Sequence, residues 1–261
     1  MLEDGLFGDP EPARRDLGLV PRPFTAAAVR DLEDAAGPLF GLSLRLVDRR
    51  EHALALAAHG REFGRALGLM VLAILLPALL GWAIPGIWPR LAANALVLIP
   101  IALFGVRLPW RELLRVSASR LAVGLGAAAF LYGAGALVAR LLLAVPAFAA
   151  QLAAVYGWKE AVPAAWIPGL LLLIVAGEEI VWRNAITLPL AARFGPVPGV
   201  LLAALGLALA HLSFGLPALL IAAAGAGAFW SALVVRTRSA IPAFVSHLLF
   251  DLTVMFWLPY V

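Results

Sequence analysis

Glu178 and Glu179 stand side by side in an otherwise apolar stretch, Gly177-Glu178-Glu179-Ile180-Val181-Trp182-Arg183-Asn184, with Arg183 four residues beyond the second acid. A helical residue and its fourth successor share a face, so Glu179 and Arg183 can form an ion pair. Glu178 is turned by about 100° from Glu179 and is expected to be left without that partner. A carboxylate held in a partly dry site suits a general base working near neutral pH. His211 ends a later apolar run, Leu207-Ala208-Leu209-Ala210-His211, and His247 precedes Asp251 by four in Ser246-His247-Leu248-Leu249-Phe250-Asp251. The His247–Asp251 pair can be a hydrogen bond that fixes an imidazole tautomer or two ligands of a metal. A glutamate base, a histidine partner and a second polar pair are the parts needed to activate water and stabilise an oxyanion. No serine–histidine–aspartate ordering is evident for Ser213 or Ser246. A purely structural polar cluster is the blander alternative, at odds with the cost of adjacent acids inside a membrane.

The elements that must hold these residues are membrane helices. Apolar residues make up 63% of the chain and charged ones 14%, against about half and a quarter in soluble domains. Eleven of the sixteen acidic residues precede residue 65, leaving Glu112, Glu160, Glu178, Glu179 and Asp251 to the remainder. A stretch so poor in carboxylates is suited to lipid. Seven apolar segments, near 66–84, 91–106, 119–145, 165–192, 197–213, 216–235 and 240–258, approach the length of about 20 residues that a span needs. The fold expected is therefore all-α, a polytopic transmembrane helical bundle of seven spans over residues 65–261. Residues 1–64 are expected to form a short cytoplasmic, amphipathic extension, with Thr25 capping a helix that Gly37-Pro38 stops. No cleavable leader is expected, because residues 1–20 are acidic and lack an apolar core.

The basic residues orient the bundle. With the N-terminus in the cytoplasm, inside segments hold sixteen of them and outside loops only Arg90 and Lys159. That asymmetry is the one the positive-inside rule predicts. Arg140 and Arg183 fall within the spans. There is no run of basic residues suited to nucleic acid, and cysteine chemistry is excluded because the chain has no cysteine. Glycines in the third and sixth spans (Gly124, Gly126, Gly133, Gly135, Gly225 and Gly227) are expected to let helices approach closely.

Glu178-Glu179-x-x-x-Arg183, then His211, then His247-x-x-x-Asp251 resembles the three-motif signature of the CPBP intramembrane proteases. This is the family of CAAX prenyl endopeptidases and bacteriocin-processing proteins, also called ABI proteins, whose motifs read EExxxR, FxxxH and HxxxN or HxxxD. The approach Arg236-Thr237-Arg238-Ser239-Ala240-Ile241-Pro242 also looks like the family's. The resemblance covers about residues 165–255, and residues 1–64 have no counterpart in it. Leu207 stands where the second motif has phenylalanine, and Trp182 and Asn184 where Phe and Gly are common.

The resemblance implies an intramembrane endopeptidase of the bacterial inner membrane acting on a membrane-anchored or lipid-linked protein or peptide. By it, Glu178 activates water, His211 helps orient it, Glu179 and Arg183 support the fourth helix, and His247 with Asp251 stabilises the oxyanion. A mechanism without metal is the reading adopted. Zinc remains the alternative, with Glu178, His211 and His247 as ligands. The rival functions are a non-proteolytic scaffold or bacteriocin-immunity protein of the same family, and a proton-coupled transporter using the same carboxylates.

Overall fold

The computed structural model describes residues 62–260, so the expectations for residues 1–61 lie outside the described residues. Among the described residues there is no strand. Seven helices are long and apolar enough to cross a bilayer: α1 Phe63–Ala83, α2 Ile87–Gly105, α3 Ala118–Leu142, α4 Ala164–Phe194, α5 Pro196–Phe214, α6 Pro217–Thr237 and α7 Ala240–Trp257. The chain is a multi-span helical membrane protein. Its outer surface agrees, since Trp82 is 94% and Phe104 87% exposed. Such side chains are stable on the outside of a fold only where the surroundings are apolar.

Local sequence explains where the helices begin and end. Prolines open α5, α6 and the short helix Pro146–Gly157, where a missing N–H costs nothing. Ser117 and Ser239 cap the starts of α3 and α7 by accepting from the amides of Arg120 and Ile241. Gly195 alone separates α4 from α5, at φ +94°, a conformation that needs glycine. Pro77 and Pro100 lie inside α1 and α2, as membrane helices tolerate. α2 starts at Ile87, earlier than its apolar run suggests, because the first helical turn tolerates Pro89. Helix Pro146–Gly157, only 12 residues long, was not foreseen.

α4 lies at the centre of the bundle, in contact with α1, α2, α5, α6 and α7, while α3 packs chiefly on α7. The glycine expectation holds at three positions. A methyl group on Gly124 would lie 2.7 Å from Val245, one on Gly227 would lie 2.8 Å from Leu207, and Gly135 faces the Tyr260 ring. It fails at Gly126, Gly133 and Gly225, where an added methyl group would meet nothing within 4 Å. Arg140 sits exposed near the end of α3.

The two ends of the bundle differ in charge. At one end Glu62 accepts from the Arg65 guanidinium at 2.8 Å and the Arg107 amide at 3.1 Å. The Arg107 amide holds the Glu62 carboxyl below its usual range. Phe63 meets Phe194 edge-on, and Ser239 donates to the Leu113 carbonyl, so the basic segments around Arg107, Arg193 and Arg236 gather at this end. At the other end Trp88 donates to the Trp158 carbonyl, and Arg90 lies over Phe214.

Candidate active site

The polar run of α4 does not continue as an α-helix. Residues Ile167–Glu178 are α-helical, and Glu179–Ile186 form a π-helix, whose turns hold more residues. Polar side chains complete the widened turns. Asn184 Nδ2 donates to the Glu179 carbonyl at 2.8 Å, and Thr187 Oγ1 donates to the Trp182 carbonyl at 2.7 Å, each five residues back.

The wide turn corrects one expectation. Glu178 does not lack Arg183: Nη2 of Arg183 lies 3.5 Å from Glu178 Oε2, while its Nε lies 3.4 Å from Glu179 Oε1. On an α-helix the fifth successor would point well away; in the π-helix both acids reach one guanidinium. They remain unequal. The Glu179 side chain is 1% exposed and that of Glu178 is 20%. Glu178 also lines a cavity of about 20 Å³, together with Asn94 and Ala95 of α2 and Trp182. That is room for about one water molecule. The close passage of α2 depends on Gly177, where a methyl group would lie 2.7 Å from the Ala95 Cβ.

α7 delivers His247 against the same carboxylates. His247 Nδ1 is 2.8 Å from Glu179 Oε1, and its Nε2 is 3.5 Å from Asp251 Oδ2. A carboxylate only accepts, so Nδ1 carries a proton and donates to Glu179. Glu179 thus holds Arg183 and also orients His247, a second task the sequence did not reveal. The helical placement of His247 and Asp251 on one face is as expected.

His211 sits where α5 tightens into the 3₁₀ turn His211–Phe214. Its Nδ1 donates to the Leu207 carbonyl at 2.8 Å. A carbonyl cannot donate, so in the neutral ring Nε2 is the bare nitrogen, able to accept a proton or a hydrogen bond. Glu178 lies within range of the charges of His211 and His247, and Asp251 within range of those of His247 and Glu178.

Trp230 of α6 is the functional neighbour that sequence reasoning missed. Its ring stacks on His247 at 3.7 Å between centroids and 20° between planes. Its Nε1 donates to Ser246 Oγ at 3.1 Å, and the Arg183 guanidinium lies 5.3 Å from its centroid. The only signal was position, since tryptophan in mid-span is far from the interfacial belts it usually occupies. Ser231, one residue on, shares a hydrogen bond of 3.1 Å with Thr187 and ties α6 to the π-helix. Trp182 and Asn184, where the motif departs from the family, belong to this scaffold: Asn184 closes the wide turn, and Trp182 packs against Gly206.

Among the described residues no three His, Asp or Glu side chains are gathered as metal ligands. Within the zinc alternative of Glu178, His211 and His247, the last already has Nδ1 bound to Glu179 and Nε2 turned to Asp251. That set does not fit a ready tetrahedral site.

Residues 160–253 match the family described as Type II CAAX prenyl endopeptidase Rce1-like. The matched stretch spans Glu178, His211, His247 and Asp251 together. No curated protein and no solved structure matches the chain.

Proposed function

Taking as premise that the stretch 160–253 belongs to the CAAX protease family, we propose that the chain is an intramembrane endopeptidase in which Glu178 activates water. One observation carries this reading. Of the two adjacent acids, Glu179 is consumed by Arg183 and His247, while Glu178 keeps a partly accessible carboxylate beside a water-sized cavity.

In this mechanism Glu178 accepts a proton from water, and the oxygen adds to the carbonyl carbon of the scissile peptide. His211, with Nδ1 held by Leu207, offers Nε2 as the acceptor that orients the water's second O–H. The carbonyl oxygen gains negative charge. His247, when both ring nitrogens are protonated, presents an Nε2–H to it, and Glu179 and Trp230 hold that ring in place. A bare Asp251 carboxylate would repel the oxyanion, so it acts through His247 Nε2 or in its protonated form. Collapse of the tetrahedral intermediate breaks the C–N bond, and the proton on Glu178 passes to the departing amine. Fixed donors aimed at a developing oxyanion are commonly the largest part of such catalysis.

The substrate is a protein or peptide held in the bilayer by a lipid or by its own apolar end. The basic end of the bundle faces the cytoplasm of a bacterial inner membrane, in keeping with the positive-inside rule. The test is to compare the termini of membrane proteins in native cells carrying wild type, Glu178→Ala or His211→Ala, and to repeat the cleavage with purified protein and chelator. A new terminus lost in both variants and kept in chelator supports the reading. Cleavage restored only by zinc transfers it to a metalloprotease. Equal processing by Glu178→Ala sinks it in favour of a scaffold, and solute uptake without any peptide cleavage favours a transporter.

A further inference from the structure

Asn94 is a polar side chain beside the candidate site that the mechanism above does not use. From Leu91 to Gly105, α2 is apolar apart from it. An amide set among alkyl side chains loses the hydrogen bonds of water and needs partners within the fold. Yet Asn94 Oδ1 is buried with no hydrogen-bond partner among the described residues. Gly177 brings α2 against α4 at this level, since a methyl group there would lie 2.7 Å from the Cβ of Ala95, the next residue.

The cavity of about 20 Å³ beside Glu178 is where the two helices meet, and Asn94 lines it. Apart from Glu178, Asn94 and the Trp182 indole, its wall has no polar side chain among the described residues. A carboxylate and an amide oxygen are both acceptors, so neither can satisfy the other. Water has two O–H donors and satisfies both at once, and the cavity has room for about one. His211 is not part of this wall. Water in the cavity therefore takes its second partner from α2 and not from α5.

We propose that Asn94 is a positioning residue that holds the reacting water against Glu178. At rest the water donates one O–H to the Glu178 carboxylate and the other to Asn94 Oδ1. When the scissile carbonyl arrives, the water oxygen bonds to its carbon and one proton passes to Glu178. The other O–H leaves Asn94 for His211 Nε2. Each hydrolysis thus uses a water already stored within the bundle, and Asn94 sets how often Glu178 has one in place. The inference rests on the protease reading and adds to it a residue outside the matched stretch 160–253.

The test compares full-length wild type, Asn94→Leu and Asn94→Ala. Leucine has similar bulk and no acceptor, whereas alanine leaves space in which a further water can stand in for the amide. Replacing a buried unpartnered amide by leucine is expected to leave the fold at least as stable, as measured by unfolding in mixed micelles. Kinetics use the membrane protein whose terminus the native-cell comparison identifies. Asn94→Leu is expected to lower kcat about 100-fold, the size of misplacing a reacting group by about 1 Å, with KM little changed. Asn94→Ala is expected to keep more of kcat than Asn94→Leu. A role in packing alone predicts the opposite order, because leucine fills the space that alanine leaves open. Asn94→Leu as active as Asn94→Ala, or more so, overturns the proposal.

Crystals grown in lipid, at a resolution that orders water, need no substrate. Wild type is expected to show a water at about 2.5–3.0 Å from both Glu178 and Asn94, and Asn94→Leu none. An empty cavity in wild type, or the same water in Asn94→Leu, overturns the proposal. A monovalent cation is the other species that two acceptors would hold. An anomalous peak in the cavity after soaking in thallium(I) assigns it to a cation and refutes the water. The ordered water in a wild type that cleaves no peptide defeats the protease reading alone; cleavage at the wild-type rate by Asn94→Leu defeats the role of Asn94 alone.

Discussion

Replacing each of the two adjacent acids by glutamine should have opposite consequences. Glu179 and Arg183 are both 1% exposed, and Glu179 Oε1 serves Arg183 at 3.4 Å and His247 at 2.8 Å. In Glu179→Gln the one carboxylate left in contact with the guanidinium is Glu178, at 3.5 Å. Breaking a buried pair from one side typically costs about 3–5 kcal/mol. Polar contacts in membranes often measure smaller, because the unfolded chain in lipid also finds partners. The lower end, about 3 kcal/mol, is expected here. Glu178 is 20% exposed, and its 3.5 Å contact with Arg183 lies beyond the usual hydrogen-bond range of about 2.7–3.2 Å. Glu178→Gln should therefore cost below about 1 kcal/mol and abolish cleavage. Equilibrium unfolding in mixed micelles, followed by tryptophan fluorescence and circular dichroism, measures both. The reasoning is refuted if the two variants are equally stable, or if Glu178→Gln is the less stable.

Further outcomes follow from the neighbours of these acids. Trp230→Phe keeps the ring on His247 and loses the bond to Ser246, a loss of about 1 kcal/mol. Trp230→Ala should cost about 3–5 kcal/mol and lower kcat more than it raises KM, because His247 loses its support; steady-state kinetics and unfolding separate the two effects. Gly177→Ala forces a methyl group toward Ala95, at about 1–3 kcal/mol. Activity lost in that variant should return in part when Ala95→Gly is added, and no rescue would show that the α2–α4 approach does not position Glu178. Thr187→Val removes the bonds to the Trp182 carbonyl and to Ser231, about 1 kcal/mol each. A double-mutant cycle with Ser231→Ala should show coupling, and strict additivity would contradict the contact.

Hydropathy and charge made the seven spans legible, because each span must be apolar along its length and the arginines of the loops alternate in number. The motif residues were legible for a related reason: ionisable side chains are rare enough in lipid that Glu178, His211, His247 and Asp251 stand out. The π-helix was not. An apolar run carries the same hydropathy whether its turns are α or π, and only the side chains of Asn184 and Thr187, bonded five residues back, reveal the wider turn. Pairing rules for α-helices therefore gave Arg183 to Glu179 alone. Trp230 was hidden because a tryptophan in an apolar helix reads as packing, and its stacking on His247 is a contact between helices that spacing along one chain cannot express. Arg90 was assigned to an outside loop; in the structure α2 begins before it, which turns a loop cation into a helix-borne one.

The central claim is that Glu178 activates the water that cleaves a peptide bond. The most direct measurement reconstitutes wild type and Glu178→Gln in vesicles at matched folded amounts, with a membrane-anchored substrate taken from the native cells. Mass spectrometry then reads the cleavage products formed in water enriched in oxygen-18. The account predicts one new carboxyl terminus carrying the label with wild type and none with Glu178→Gln, in the presence of chelator. The same labelled product at the same rate from Glu178→Gln would contradict it.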